Sequence, residues 1–304
     1  TPSNPIFKNA VPGGSTSGGA VSIALGVSDI TIGTDTGGST RIPAAFTGIT
    51  GFKPTQDSIS RKGALILSTS LDSVGLMAKN IKLCKLGFET MRNKTTLQPY
   101  DSNINNIKII VPKNFGFENI DAKVEEGFEA AKNKIIESGF DVIESNIPLL
   151  DKYQKVPLWQ FAAVESQAEY FEAFTSKKNL LDPNVSRRMD RANQVTAVEY
   201  VKLCEERKKL IDQFNNFLGN NFLLLPTVSI IPPLIKDCEN EEFYDKVNFI
   251  SLKNTTLANY MNGCSLSLPY TKDDMPIGIM LNASNNHDDR LLKIGSKIEK
   301  ILSK

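Results

Sequence analysis

The chain has 304 residues, 40% hydrophobic and 23% charged, which are proportions typical of a globular protein with enough material for a buried core. Its formal charge of +1 gives no overall attraction to nucleic acid or anionic membranes, and no apolar run approaches the roughly 18 residues of a membrane span. We therefore expect a cytoplasmic protein that binds neither. Cys84, Cys204, Cys238 and Cys264 form no C-x-x-C pair, which favours buried free thiols over a zinc site or a disulfide framework.

Hydrophobic periodicity and turn residues divide the chain into alternating helices and strands. In chain order the predicted elements are a helix at 19–27, a strand at 29–35, a short helix and a strand within 42–55, a strand at 107–112, a helix at 121–139, a strand at 140–148, mostly helical stretches at 152–175 and 183–218, strands at 222–227, 265–269 and 275–281, and a helix at 288–302. Because helices separate many of the strands, the pattern predicts a layered α/β sheet. Without repeats or low-complexity linkers, we expect one domain.

Two glycine-rich loops, PGGSTSGG at 12–19 and DTGGSTR at 35–41, each place a serine beside glycines. Glycine permits positive φ and lets successive N–H groups point at one atom, as an oxyanion hole requires. Taken singly, the second loop is equally explained by a tight turn. The first is equally explained by a flexible loop or by an anion-binding helix N-terminus. Neither contains the Walker A ending or the G-x-S-x-G nucleophile elbow.

A serine hydroxyl becomes a nucleophile only when a base lies within hydrogen-bond reach. The single histidine of the chain is His287, in NNHDDR, where we expect a solvated residue in a loop or at a helix start. A Ser-His-Asp triad is therefore nearly excluded. Either the two serines do no chemistry, or a different residue type serves as their base.

Taken together, the two loops resemble the amidase signature family, whose hydrolases use a Ser–cis-Ser–Lys triad. Ser15 and Ser39 are 24 positions apart, as are the corresponding serines of the family. The stretch SDITIGTDTGGSTRIPAAFTGITGFKPT (28–55) is similar to the family core, and SLDSVGLMAKN (70–80) matches the segment that follows it. Weaker similarity continues in FLLLPT, NTTLANYMNGCSLSLP and MPIGIML. The resemblance implies the α/β amidase-signature fold, a mixed twisted sheet covered by helices on both faces.

The resemblance also implies roles for individual residues. Ser39 corresponds to the nucleophile that forms the acyl-enzyme. Ser15, in a cis peptide with Gly14, corresponds to the bridging serine that relays the proton to the base and back. The backbone N–H groups of Thr36, Gly37, Gly38 and Ser39 correspond to the oxyanion hole. Asp35 and Arg41 would brace this loop, the alternative being an ordinary surface ion pair. No metal or organic cofactor is implied.

The base of the family is a buried lysine that desolvation and its neighbours keep neutral. It lies tens of residues before the first serine loop, whereas only 14 residues precede Ser15 here. Lys8 is too close to Ser15 and lies in the wrong loop. We therefore expect residues 1–304 to form a single amidase domain that lacks its N-terminal part together with the catalytic lysine. Apolar surface or a sheet edge would then stay uncovered.

The leading hypothesis is an amidohydrolase that cleaves the C–N bond of a small carboxylic amide through a seryl acyl-enzyme, either alone or as a homodimer. A second hypothesis within the family is the glutaminase component of a tRNA-dependent amidotransferase, which works with partner subunits. Allophanate hydrolase is a further relative, although its loop is closer to DTAGSGR than to the DTGGSTR found here. From a different class comes a non-catalytic remnant or interaction module of the same fold.

Overall fold

The computed structural model describes residues 2–92, 107–273 and 275–303. Its eight strands are β1 (Ile30–Asp35), β2 (Thr50–Lys53), β3 (Ser73–Ala78), β4 (Lys108–Pro112), β5 (Asp141–Ser145), β6 (Phe222–Pro226), β7 (Cys264–Lys272) and β8 (Met275–Ala283). Its α-helices are α1 (Ser17–Ala24), α2 (Arg41–Phe46), α3 (Ile81–Met91), α4 (Ala122–Glu137), α5 (Pro148–Tyr153), α6 (Trp159–Glu169), α7 (Phe171–Ser176), α8 (Pro183–Asp190), α9 (Ala197–Leu218), α10 (Glu241–Tyr260) and α11 (Asp288–Leu302).

All eight strands form one sheet in the order β1-β3-β2-β7-β8-β6-β4-β5. Strand β4 pairs in parallel with β5 and β6, and the other neighbours are antiparallel. The α/β class and the mixed sheet predicted from the sequence are therefore confirmed. The sheet joins early and late parts of the sequence, because β2 pairs with β7 across more than two hundred residues.

The core lies on both faces of the sheet, since side chains alternate between faces along each strand. On one face, Leu266 and Leu281 pack with apolar residues from α3, α4 and α11. On the other, Met280 and Leu225 pack with residues from α5, α9 and α10. Strand β6 is buried along its whole length, which explains why its sequence FLLLP is continuously apolar rather than alternating.

Four elements escaped the periodicity analysis: β3, α3, α5 and α10. Helix α10 is the instructive case, because its buried residues include Asn254, Thr255, Thr256 and Asn259. A helix that buries polar side chains has no apolar stripe for a hydrophobicity pattern to detect. The predicted helix at 19–27 is shorter, ending at Ala24, and Gly26 follows with a positive φ of 71°.

The outermost strand on one side is β1, which pairs with β3 alone among the described residues. Ile32 of this strand is exposed, as are Leu25 and Val27 just after α1. The expectation that a sheet edge is left uncovered, here the edge formed by β1, stays a prediction. No described helix is long and apolar enough to cross a membrane.

Candidate active site

The two serine loops lie side by side at one end of the sheet. Strand β1 ends at Asp35 and runs into the second loop, while the first loop leads into α1. The Thr16 N–H donates to the Ser39 carbonyl at 3.2 Å, so the residue after Ser15 is tied to the backbone of Ser39. The Gly14–Ser15 peptide bond is cis. Ser15 is exposed and Ser39 is half-buried, so both residues lie where solvent reaches the loops.

Close packing explains the glycines at two positions of these loops. Gly13 has a φ of 81°, and a Cβ there would lie 2.8 Å from the Pro43 Cα in α2. Gly38 has a φ of 131°, and a Cβ there would overlap the Thr255 hydroxyl of α10. An L-residue with a side chain rarely adopts either backbone conformation. Both loops are therefore held against helices with no room for a side chain.

A buried ion pair lies beneath the second loop. Asp35 and Arg41 are both fully buried, and Arg41 Nη2 donates to Asp35 Oδ1 at 2.8 Å while Arg41 Nε donates to Oδ2 at 3.1 Å. Burial alone would raise the pKa of Asp35, but the charge and hydrogen bonds of Arg41 hold that pKa well below its ordinary value. The surface ion pair that the sequence left open is therefore excluded.

The Asp35 carboxylate also fixes the loop backbone. It accepts from the Gly38 N–H at 2.9 Å and from the Thr40 N–H at 3.2 Å. In this structure the Gly38 N–H, one of the expected oxyanion-hole donors, is thus bonded to Asp35. Within the described residues, the N–H groups of Thr36, Gly37 and Ser39 have no hydrogen-bond partner. These three are the backbone donors of the loop that remain available to a ligand.

Helix α10 supplies residues that the sequence analysis did not assign to the site. Asn259 donates from Nδ2 to the Asp35 carbonyl at 2.7 Å and accepts from Arg41 Nη2 at 2.7 Å. The Thr255 carbonyl accepts from Arg41 Nη1 at 2.8 Å, and the Thr255 and Thr256 hydroxyls both donate to the Gly37 carbonyl. The only signal in the sequence was the weak family similarity of NTTLANY, which assigned no role to these polar side chains.

Thr36 has a support of its own, outside the ion pair. Its hydroxyl donates to Asp72 Oδ1 at 2.6 Å. Asp72 lies in the SLDSVG stretch just before β3, and its other oxygen accepts from the N–H groups of Leu67 and Ser68. The segment that precedes β3 therefore holds the first residue of the proposed oxyanion loop.

The lysines near these loops are engaged elsewhere or exposed. Lys53 is fully buried and donates from Nζ to the carbonyls of Pro54 and Gly263 at 2.9 and 2.8 Å. Burial lowers the pKa of Lys53 to about 8, and the positive charge of Arg41 adds to the decrease. Lys132 of α4 pairs with Glu129 and with Glu144 of β5, at the opposite edge of the sheet from β1, and Lys8 is exposed. Within the described residues, no lysine is hydrogen-bonded to Ser15 or Ser39.

Other candidate groups lie away from the serine loops. His287 is at the start of α11, where its ring nitrogens contact the Asn285 carbonyl and Asn220 Oδ1. Of the four cysteines, all free, Cys84 and Cys264 are buried while Cys204 and Cys238 are partly exposed. The described residues contain no group of three or more His, Cys, Asp or Glu side chains suited to a metal ion.

Comparison with known proteins assigns this chain to a family. The family model described as Amidase matches residues 1–292. The chain is 30% identical to 2-amino-5-chloromuconic acid deaminase of Comamonas testosteroni over 99% of its own length and 67% of that protein. It is 27% identical to the glutamyl-tRNA(Gln) amidotransferase A-type component of Alkaliphilus metalliredigens over 98% of its own length and 68% of that protein.

A solved structure agrees with this assignment. A crystal structure described as an amidase superposes with a TM-score of 0.84 at 27% identity, covering 98% of this chain and 69% of that one. Since the match covers nearly all of this chain, the fold and the sequence give the same result. The chain therefore belongs to the amidase family, and it is a hydrolase that acts on amides.

Proposed function

We propose that the protein hydrolyses a small carboxylic amide through a covalent ester on Ser39. The Ser39 oxygen attacks the amide carbonyl carbon as its proton passes to Ser15, whose own proton passes on to a base. The carbonyl oxygen becomes an oxyanion, which the N–H groups of Thr36, Gly37 and Ser39 stabilise. The C–N bond then breaks as the amine takes the returning proton, and water hydrolyses the ester to the acid.

The observation that supports this proposal most directly is the hydrogen bond between the Thr16 N–H and the Ser39 carbonyl. It joins two loops that a helix and a strand separate in the sequence, which supports a common site for the two proposed catalytic serines. The buried Asp35–Arg41 pair supports the same proposal. Asp35 accepts hydrogen bonds from the Gly38 and Thr40 N–H groups on either side of Ser39, so the pair holds the backbone of the proposed nucleophile in place.

For the base we keep the lysine of the family and propose that it lies outside the described residues. Lys53 supports this assignment by exclusion, since its ammonium donates to two main-chain carbonyls. A base for Ser15 must lie within hydrogen-bond reach of its hydroxyl. Lys8 is exposed and, among the described residues, donates no hydrogen bond to Ser15.

The proposal is tested by the rate of labelling with a fluorophosphonate, measured by mass spectrometry on the protein. We expect a single label on Ser39, none in Ser39→Ala, and labelling slowed at least about 100-fold in Ser15→Ala. Ser22→Ala is the matched control, because the Ser22 hydroxyl bonds to Gly19 within α1 and should leave the rate unchanged. Labelling at another serine, or none in the unaltered protein, would contradict the assignment.

A second candidate function is glutamine hydrolysis for a tRNA-dependent amidotransferase. It is favoured by the A-type components of glutamyl-tRNA(Gln) amidotransferases among the similar proteins, at 25–29% identity. This function requires partner proteins, whereas a free amidase acts without them or as a homodimer. Ammonia release from glutamine would favour the amidotransferase component, and release of acid from simple amides but not from glutamine would favour the free enzyme.

A further inference from the structure

Glu165, half-buried on α6, accepts four hydrogen bonds. One carboxylate oxygen accepts from the Ser68 hydroxyl and from the Ser70 N–H at 3.0 Å. The other accepts from the Ser70 hydroxyl at 2.5 Å and from the Tyr200 hydroxyl of α9 at 2.5 Å. All four lone-pair positions of an ionised carboxylate are therefore used. An amide or hydroxyl side chain at this position would offer fewer acceptors to the same four donors.

The donors on one side belong to the segment 65–72, which apolar packing anchors only at its end, where Leu71 is buried in the core. In the segment 65–72, Leu65 and Leu67 are exposed, at 85% and 48% of their full area. The rest of the segment is held by polar contacts: the bonds to Glu165, the bond from the Tyr170 hydroxyl to the Ile66 carbonyl, the bonds that the Thr69 carbonyl accepts from Gln56 and Arg61, and its own bonds to Asp72. The position of the segment therefore depends on hydrogen bonds from α6 and its neighbours.

Hydrogen bonds connect the segment 65–72 to the oxyanion loop. Ser68 donates its N–H to Asp72 at 3.0 Å while its hydroxyl is bonded to Glu165. Asp72 in turn accepts the Thr36 hydroxyl at 2.6 Å. A continuous set of hydrogen bonds thus runs from Glu165 through Ser68 and Asp72 to Thr36, whose N–H is one of the donors available to an oxyanion.

We propose that Glu165 is a positioning residue for the oxyanion loop, acting through Ser68 and Asp72 on Thr36. It forms no hydrogen bond with Ser15 or Ser39, and it acts through its direct bonds to Ser68, Ser70 and Tyr200. Its role is to hold the segment 65–72, and hence the Thr36 N–H, in the orientation that stabilises charge on a reacting carbonyl oxygen. This inference rests on the proposed function, in which Thr36 belongs to the oxyanion hole.

The first test compares Glu165→Gln with Glu169→Gln, an exposed glutamate on the same helix. Glutamine has the same shape but directs an NH2 group at donors that need acceptors. We expect the fluorophosphonate labelling rate of Ser39 to fall about 10- to 100-fold in Glu165→Gln and to stay unchanged in Glu169→Gln. If Glu165→Gln does not fold, Glu165→Asp is used in its place, because aspartate keeps the carboxylate but has a shorter reach. An unchanged rate in the folded variant would overturn the inference.

A double-mutant cycle separates this path from a general loss of stability. Thr36→Val removes the hydroxyl bonded to Asp72 and keeps the backbone N–H. If Glu165 acts through Thr36, adding Glu165→Gln to Thr36→Val should slow labelling by less than about 3-fold beyond Thr36→Val alone. Multiplied effects of the two substitutions would show that Glu165 acts by another route, and the inference would fail.

Amide hydrogen exchange tests the inference without any activity. We expect peptides that cover residues 33–41 to exchange at least about 5-fold faster in Glu165→Gln, while peptides from β7 and β8 keep their rates. Equal exchange over 33–41 in variant and parent would overturn the inference even if Ser39 is labelled. If the parent protein is not labelled, the proposed function fails, and the exchange result still decides the role of Glu165.

Discussion

Asn259 is the residue on which the buried charges of the site converge. It bonds to both members of the Asp35–Arg41 pair and also donates to the Leu71 carbonyl at 3.2 Å. Removing one partner of a buried ion pair leaves an uncompensated charge, which costs several kcal/mol. Here an amide side chain, a donor and an acceptor at once, bonds to both ions, while the Thr255 carbonyl and the loop N–H groups serve other positions of the pair. The rigidity of the nucleophile loop therefore depends on a neutral residue.

Gly38 allows a prediction at the residue scale. Gly38→Ala should abolish Ser39 labelling and lower the free energy of unfolding by about 2 kcal/mol or more, because its Cβ overlaps Thr255 in addition to the cost of positive φ. Gly63→Ala is the control, since Gly63 also has positive φ, at 88°, but its Cβ would meet no atom within 4 Å. Gly63→Ala should cost about 1 kcal/mol and leave labelling intact. Equal effects of the two variants would argue against crowding at Gly38.

The sequence predicted the residues of the site that lie in its local motifs. Ser15, Ser39, Asp35 and Arg41 lie in two short glycine-rich stretches, and their expected roles come from the resemblance of those stretches to the amidase signature family. Asn259 and Glu165 were not predicted, because each is an ordinary polar residue in a helix, and its partners are set by packing across more than 90 residues. The use of the Gly38 N–H by Asp35 also depends on the three-dimensional turn of the loop.

At the scale of elements, helix α9 fixes the end of α10 that supports the loop. Arg207 of α9 donates from Nε to the Tyr260 carbonyl at 2.9 Å and from Nη2 to the Asn259 carbonyl at 3.2 Å. Carbonyls in the last turn of a helix have no partner within the helix, so a cation there is favourable. The position of Asn259 therefore depends on a neighbouring helix as well as on its own.

Arg207→Met tests this contact between helices. Methionine keeps the apolar stem but removes both hydrogen bonds, so we expect the free energy of unfolding to fall by about 1 to 3 kcal/mol in urea titrations. Lys208→Met is the matched control, because Lys208 is exposed on the same helix and should change stability by less than about 0.5 kcal/mol. Similar values for both variants would contradict a specific role for Arg207.

Elements with one apolar face or an unbroken apolar run were predictable, and α10 was not. Strands β4 and β6 and helix α11 match their predicted ranges to within a residue or two. In α10, Thr255, Thr256 and Asn259 are buried but bond to the loop at 35–37. The polar side chains that hold this loop are therefore also the reason why no apolar stripe marks the helix. Strand β3 was missed because its residues 73–78 lay inside a stretch assigned only by family similarity.

At the scale of the whole molecule, the buried charge of Lys53 links stability to pH. Burial lowers the pKa of Lys53 to about 8 in the folded protein, and an unfolded lysine titrates near about 10.4. Between these values the unfolded chain binds a proton that the folded chain has released. The contribution of Lys53 to the free energy of unfolding therefore rises with pH across this window and is lowest below pH 8.

Lys53→Met removes this titration. We expect the free energy of unfolding of the parent minus that of the variant to increase by on the order of 3 kcal/mol between pH 7.5 and 10.5. Lys132→Met is the control. Burial alone would lower the pKa of Lys132, but the hydrogen bonds that it donates to Glu129 and Glu144 outweigh burial and raise that pKa. The difference in unfolding free energy between the parent and Lys132→Met should therefore stay flat up to about pH 10. If the free-energy difference between the parent and Lys53→Met stayed flat or fell over this pH range, the pKa of Lys53 would not be lowered in the folded protein.

The bond between Asn259 and Asp35 spans 224 residues, and this separation has a consequence for the protein as it leaves the ribosome. Translation at about 5 to 20 residues per second leaves Asp35 and Arg41 waiting on the order of 10 to 45 seconds for Asn259 to be made. Until then, β2 also lacks its neighbour β7. The first sixth of these residues thus contains the proposed nucleophile but cannot form its surroundings, which delays a reactive serine until most of the domain has been synthesised.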